Sequence, residues 1–386
     1  MNKLTHILFL PAWYPHKEDN MYGLFTKKHA DVLSKQFKIS VLYFAPAQKN
    51  NFSGMQIMRS GNLFEYIYYP KHKGTNVFSK LLRFLEFIRV MQHNYKLIQD
   101  ENGKPDLAHV HVLTRMGLIA YLLKKKHGLN FVITEHWSRY LNYPGTYKGL
   151  LRKIITKMVA SHALEITTVT KNLADAMQNH GLKNRYSIVN NVVDTDLFRI
   201  ANVNNKKTKK TFVHVSCFED KSKNISGLLD AIHILNQQRN DFECILIGSG
   251  TDFNQMIKKA QELSLNNVVF TGLLEGKKLS ETIASANFLV VSSRYENFPV
   301  VIPEAFACGL PVVATNVGGI AEWVNNSNGL LVEPDKTDKL AEAIHYMLDN
   351  YENFNPEEIR KIALNNFSTE AVLKQFIELY KRYGIG

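Results

Sequence analysis

The residues best placed to do chemistry are acidic. Glu296 and Glu304 stand in SSRYENFPVVIPEAFACG, where an apolar run (288–292) gives way to a polar loop. The pattern predicts a helix that begins near Val300 or Val301, carries Pro303 in its first turn and closes at a left-handed Gly309. Glu296 then lies at the carboxyl end of a strand. Glu304 lies in the first turn of the following helix, beside N–H groups that no helix carbonyl satisfies. Two carboxylates so placed suit hydrogen bonds from vicinal hydroxyls, as on sugars. Taken singly, each reads equally as a dipole-favouring glutamate or a solvated loop residue. Other polar groups are weaker signals. His109 and His111 in HVH share one face of a strand without acidic or cysteine ligands nearby, which points to a core or cleft role. Asp194-Thr195-Asp196 has a D-x-D spacing, and Gly248-Ser249-Gly250 is half of a dinucleotide fingerprint. No G-x-S-x-G and no phosphate-loop pattern occurs. Neither a metal nor a cofactor is expected.

These residues are held by a repeating order of elements. Apolar runs at 7–10, 39–44, 107–112, 131–134, 165–170 and 186–189 read as strands, separated by segments with helical spacing. After residue 210 the alternation restarts, with strands at 212–216, 244–248, 268–272, 288–292, 311–315 and 329–332. Near-continuous apolar strands alternating with helices imply parallel sheets covered on both faces. The expectation is two doubly wound α/β domains joined by the polar, basic stretch 200–210, with ligand bound between them at the carboxyl ends of strands.

Charge is unevenly shared over the 386 residues. Residues 1–200 hold 28 basic and 13 acidic side chains, and residues 201–386 hold 19 and 22. The first half therefore faces something anionic: nucleic acid, a phospholipid surface or a phosphorylated substrate. Three cysteines without a C-x-x-C pair fit a reducing cytoplasm. The short apolar stretch His6 to Leu10 reads as a strand rather than a signal peptide, and no run approaches a membrane span.

Glu296 and Glu304 form an E-x7-E, followed by A-x-A-C-G-x-P-V-V-A-T-x-x-G-G-x-x-E. This stretch closely resembles the donor-site signature of the family-4 retaining glycosyltransferases, which have the GT-B fold. LIGSG (246–250), VVFTGLLEGKKLSETIASANFLVVSS (268–293) and NGLLVEPDKTDKLAEAI (328–344) extend the likeness over residues 211–348. SIVNNVVDTDLF (187–198) resembles the family's P-N-G-V-D segment, with Asn190 and Val192 in place of its Pro and first Gly. The D-x-D belongs to that loop, and the first 186 residues match only in pattern. The implied domains are 1–199 plus a returning C-terminal helix at 369–386, which bind acceptor, and 200–368, which bind a nucleotide sugar.

The resemblance also implies roles. Glu296 would hold hydroxyls of the donor sugar and Glu304 the ribose hydroxyls. Phe298, Pro299, Val300 and Val301 would offer backbone N–H groups to sugar and diphosphate. Lys223, before Asn224, matches the lysine that binds the diphosphate, and His136 in FVITEHWSRY matches a histidine near the reacting centre. Gly23 lies in the loop that approaches the diphosphate. One position departs: Cys217 stands where the family usually has a second phosphate-binding arginine, with Lys221 or Arg294 as candidate substitutes. The activity implied is retaining transfer from a UDP- or GDP-linked sugar to a glycan or lipid-linked glycan in surface polysaccharide synthesis. The chain would be cytoplasmic, with the basic apolar segments 78–97 and 146–158 either resting on the inner face of an anionic membrane or serving as ordinary sheet-covering helices. Nucleic acid is disfavoured, because no binding motif accompanies the charge. Three other readings share the fold: a degenerate, non-catalytic subunit, a sugar phosphorylase and a nucleotide-sugar epimerase.

Overall fold

The computed structural model describes residues 4–47, 52–71, 76–143, 145–201 and 209–386. The core of the expected linker, 202–208, lies outside the described residues. The chain divides into two compact units. Unit 1 comprises Met1–Val169, Ala174–Val192 and Val372–Gly386; unit 2 comprises Thr170–Leu173 and Val193–Ala371. The change of unit at Val192/Val193 falls a few residues before the expected 199/200. Val193 and Phe198 are buried in the core of unit 2, and the Val193 N–H donates to the Phe367 carbonyl at 2.8 Å.

Unit 1 contains the strands β1 (His6–Pro11), β2 (Lys38–Phe44), β3 (Gly54–Ser60), β4 (Leu63–Tyr69), β5 (Leu107–His111), β6 (Phe131–Glu135), β7 (Ile166–Thr168) and β8 (Tyr186–Ile188). They form one sheet of order β3-β4-β2-β1-β5-β6-β7-β8. Every pairing is parallel except β3 with β4. The helices in this part of the chain are α1 (Leu24–Ser34), α2 (Val77–Asn102), α3 (Arg115–His127), α4 (Leu150–His162) and α5 (Lys171–Asn179). The β3/β4 hairpin corrects the all-parallel expectation. It turns at Gly61, whose φ of 55° suits a residue without Cβ. β3 is an exposed edge strand, so it lacks the buried alternation that marks a strand in sequence.

Unit 2 contains β9 (Lys210–Val215), β10 (Phe242–Ile247), β11 (Val268–Gly272), β12 (Phe288–Val291), β13 (Val312–Thr315) and β14 (Gly329–Val332), all parallel, in the order β11-β10-β9-β12-β13-β14. Its helices are α6 (Asp220–Lys223), α7 (Ile225–Asn236), α8 (Phe253–Glu262), α9 (Gly276–Ala284), α10 (Val301–Ala307), α11 (Thr337–Asn350) and α12 (Pro356–Phe367); α13 (Thr369–Lys381) leads back into unit 1. Apolar clusters line both faces of the sheet, as a doubly wound fold requires.

Each sheet has one point where chain order reverses direction across it. In unit 1 this is between β1 and β5, and in unit 2 between β9 and β12. Loops that leave the carboxyl ends of two such strands diverge to opposite sides and leave a crevice. The buried residues of α2 begin at Phe87 and those of α4 at Thr156. The first halves of both helices thus leave Phe78, Leu81, Leu150 and Leu151 exposed. Among the described residues, no helix is long and apolar enough to cross a membrane.

Candidate functional site

In unit 2 the site grows from the switch point. β9 is followed by a loop and α6, which carries Lys223; β12 is followed by the loop that carries Glu296. Two bonds hold these segments together: Ser292 Oγ donates to the Lys223 carbonyl at 2.9 Å, and the Arg294 N–H donates to the Ser222 carbonyl at 2.8 Å. The Lys223 ammonium consequently meets the Glu296 carboxylate in a direct ion pair. Ser293 Oγ donates to the same carboxylate oxygen at 3.0 Å. Burial opposes charge on Lys223, but the Glu296 carboxylate and the nearby Cys217 and Glu219 together outweigh it and hold the ammonium above the ordinary lysine range.

Glycines fit this loop closely. A Cβ on Gly318, at φ 58°, would lie 1.9 Å from the Glu296 carbonyl oxygen, and one on Gly319 would meet Thr170 Cγ2 at 2.2 Å. The Gly319 N–H donates to the Asn297 carbonyl at 2.8 Å, and Thr170 Oγ1 donates to Asn297 Oδ1 at 2.7 Å. The two glycines of the sequence pattern thus seat the glutamate loop. Gly248 and Gly250 similarly press on the loop after β9, where a Cβ on Gly248 would lie 1.9 Å from the Ser216 carbonyl oxygen. Their place is explained by that contact rather than by a dinucleotide.

α10 runs from Val301 to Ala307 and Gly309 has φ 71°, close to the expected span. Glu304 is buried in its first turn, and its N–H donates to the Val300 carbonyl at 3.1 Å. Val300 and Val301 place N–H groups where the helix supplies no acceptor. Pro299 has no backbone N–H, so the expected donation from that position is corrected. Phe298 is buried, its ring against Phe367 at 5.7 Å and Trp323 at 6.2 Å. Cys217 is exposed. Arg294 is already engaged: its Nε donates to Asp335 at 2.7 Å and its Nη1 to the Asp220 carbonyl. As placed, it does not replace the missing arginine; Lys221 is exposed on α6. The D-x-D is a turn, in which Asp194 Oδ1 accepts the N–H groups of Asp196 and Leu197 at 3.1 and 2.9 Å.

In unit 1, Gly23 has φ 67° and caps α1, and a Cβ there would lie 2.4 Å from the Trp13 carbonyl carbon. Its glycine is thus required by the fold of this unit itself. His136 follows β6, with its Nε2 3.2 Å from His111 Nδ1 and its ring 4.6 Å from that of Phe25. Burial, then His29 and His109, hold it neutral, well below the ordinary histidine range. The sequence reading missed Glu135, a buried carboxylate that accepts the N–H groups of Leu113, His136 and Trp137 at 2.8, 2.9 and 2.8 Å and so fixes the His136 loop. An acid directly before His136 was the available signal. His29 was missed as well, because nothing in the α1 sequence ties it to the HVH strand.

The chain is similar in sequence and in fold to known proteins. The family model "Glycosyl transferases group 1" matches residues 171–365, and "Glycosyltransferase Family 4" matches residues 33–197. An uncharacterised glycosyltransferase of Methanocaldococcus jannaschii is 31% identical over 261 residues, 66% of this chain and 67% of its own length. Among solved structures, sucrose-phosphate synthase from Thermosynechococcus elongatus superposes with a TM-score of 0.78 at 19% identity, over 98% of this chain and 99% of its own. An Anabaena protein solved in complex with UDP gives 0.75 at 16%, over 98% and 100%. At those identities the structural likeness speaks for the fold, and the family matches for the activity class. The chain belongs to the glycosyl transferases group 1 and is a family-4 glycosyltransferase of GT-B fold.

Proposed function

We propose that the chain transfers a hexosyl group, with retention, from a UDP- or GDP-linked donor to a glycan or lipid-linked glycan acceptor in surface polysaccharide synthesis. The observation that carries this reading is the Lys223–Glu296 pair at the switch point of the second sheet. Lys223 there is a largely buried cation whose present partner is one carboxylate. A diphosphate is the stronger anion, and sugar hydroxyls satisfy a carboxylate that gives up an ammonium. Donor binding thus exchanges partners without leaving a buried charge alone. Lys223 and the first-turn N–H groups of α10 then stabilise the departing diphosphate, whose oxygen receives the acceptor's proton in a same-face displacement. Glu296 and His136 position the sugar, Glu304 takes the ribose hydroxyls, and the loop at Gly23 approaches the diphosphate. No metal or cofactor enters these steps. The UDP bound by the Anabaena relative supports a uridine donor. The exposed apolar and basic first halves of α2 and α4 suit anionic headgroups on the inner face of a membrane, where each basic residue contributes about 1 kcal/mol.

The test is a nucleotide panel. UDP or GDP at 100 times its Kd stabilises the wild type by about 2.7 kcal/mol, and Lys223→Ala loses both this shift and transfer. Full transfer by that variant would sink the assignment. The exposed Cys217, in place of the usual arginine, favours a second reading, a non-catalytic subunit that stabilises a partner transferase. That reading predicts no shift with any nucleotide. Dependence on inorganic phosphate would mark a phosphorylase, and an altered donor without acceptor would mark an epimerase.

A further inference from the structure

The first unit buries a histidine cluster larger than the transfer reaction uses. The rings of His29, His111 and His136 form a nearly equilateral triangle, with centroids 5.5, 5.4 and 5.5 Å apart. One ring nitrogen of each lies within 4.8 Å of those of the other two. The three come from different elements: α1, the last residue of β5 and the loop after β6.

Two of these rings carry unmet valence. His29 Nε2 lies 3.1 Å from the Asn190 carbonyl. A carbonyl only accepts, so Nε2 bears the proton and Nδ1 is a bare lone pair. That Nδ1 is buried without a hydrogen-bond partner. His111 spends Nδ1 on His136 and leaves Nε2 buried without a partner as well. Both side chains are wholly buried. Orphaned nitrogens at such depth call for a ligand, and an ion is one of the few that fit.

We infer that His29, His111 and His136 form a binding site for a borderline divalent transition ion such as Zn2+, with its fourth position open on the His136 side. The donor set is all nitrogen, which suits Zn2+, Co2+, Ni2+ or Cu2+ and not Mg2+ or Ca2+. The Asn190 carbonyl on the far nitrogen of His29 fixes the tautomer and ring orientation, as an outer partner of a metal-bound histidine does. Burial holds His29 down at about 4, and His111 and His136 well below their ordinary value, so the imidazoles are neutral at pH 7. His109 is excluded as a ligand, because its nitrogens are bonded to Tyr380 at 2.6 Å and Thr134 at 2.7 Å. It backs His111 instead, ring against ring at 4.2 Å. Zn–N bonds of about 2.0–2.1 Å place tetrahedral ligands roughly 3.4 Å apart. The candidate nitrogens, within 4.8 Å of one another as they stand, close to that spacing by small shifts of the three side chains when the ion binds. His136 is the partly exposed corner and gives the ion its entry.

The experiment uses the full chain stripped with chelator and titrated with Zn2+ by calorimetry. The expected result is one ion per chain, three imidazole nitrogens by X-ray absorption, and no comparable binding of Mg2+. His29→Gln and His111→Gln should each weaken binding by at least roughly tenfold, and His93→Gln, exposed on α2, should leave it unchanged. Absence of saturable binding, equal binding of Mg2+, or binding that survives both cluster substitutions overturns the site. If those variants fail to fold, anomalous scattering from Zn2+-loaded wild-type crystals decides. A peak among the three rings supports the inference and a peak elsewhere overturns it. None of these readouts uses a nucleotide, so failure here leaves the transferase reading standing.

Discussion

Both units place their polar groups at the switch point of a parallel sheet, yet they solve the burial problem in opposite ways. Unit 2 buries charge and pairs it: Lys223 meets Glu296, with Ser293 on the same carboxylate. Unit 1 buries neutral imidazoles, His29, His109 and His111, and keeps its nearby carboxylate, Glu135, on backbone N–H groups. A paired charge is poised to exchange its partner for another ion. A neutral lone pair is poised to accept a proton or a metal and resists the first by burial. The contrast therefore predicts different sensitivities for the two units.

The largest expected difference is in acid. Among the described residues, burial lowers His6, His16, His29, His109, His111 and His136 in unit 1, but only His214 in unit 2. A histidine kept neutral in the fold titrates at about 6.5 once unfolded. Between that value and its folded one the unfolded chain binds more protons. The stabilisation is thus complete above about pH 6.5 and is lost as pH falls toward the folded value. For His29, lowered to about 4, the loss is on the order of 3 kcal/mol. Unit 1 should accordingly lose its structure at higher pH than unit 2. The chain has three tryptophans, and Trp13 and Trp137 lie in unit 1 while Trp323 lies in unit 2. Fluorescence of Trp323→Phe reports the first unit and of Trp13→Phe/Trp137→Phe the second. Coincident acid transitions would break the contrast.

A smaller effect separates two glycines with similar backbone. Gly318 and Gly61 have φ of 58° and 55°, but a Cβ on Gly318 strikes the Glu296 carbonyl oxygen, whereas one on Gly61 meets nothing within 4 Å. Gly318→Ala should cost roughly 2–5 kcal/mol and displace the glutamate loop, with loss of the nucleotide-induced shift. Gly61→Ala should cost about 1 kcal/mol, from its left-handed φ alone. Urea unfolding with and without UDP distinguishes them. Equal costs would mean that the glycine pair does not seat the site.

The same contrast explains what the sequence disclosed. Glu296, Val301, Gly309, Gly318 and Gly319 lie within one short stretch, where strand, loop, helix and turn follow directly, so their spacing is their geometry. Most of the expected strands were legible because buried parallel strands are continuous apolar runs. In the β3/β4 hairpin, β3 was not, because an exposed edge strand carries no such run, and the apolar run of β4 is broken by the buried Glu65. His29 and His111 meet only when α1 packs back on the sheet, and no local pattern encodes that contact. The proline at 299 was misread for a simpler reason: a motif position was given a donor that its residue type lacks.

The finest test concerns the departure at Cys217. This side chain is exposed and lies within electrostatic reach of Lys223. Restoring arginine there alters no packed contact, so Cys217→Arg should leave stability within about 0.5 kcal/mol of wild type. Its effect should fall on the nucleotide. A second phosphate donor beside Lys223 is worth about 1.4 kcal/mol, roughly a tenfold gain in UDP or GDP affinity. Arg294 does not mask this gain, since Asp335 and the Asp220 carbonyl already occupy its guanidinium. A measured tenfold gain by calorimetry places Cys217 on the diphosphate path and makes the native cysteine a weakening of a working donor site. No nucleotide binding in either protein would instead favour the non-catalytic subunit. The paired charge of unit 2 would then be structural, and only the neutral cluster of unit 1 would await a ligand.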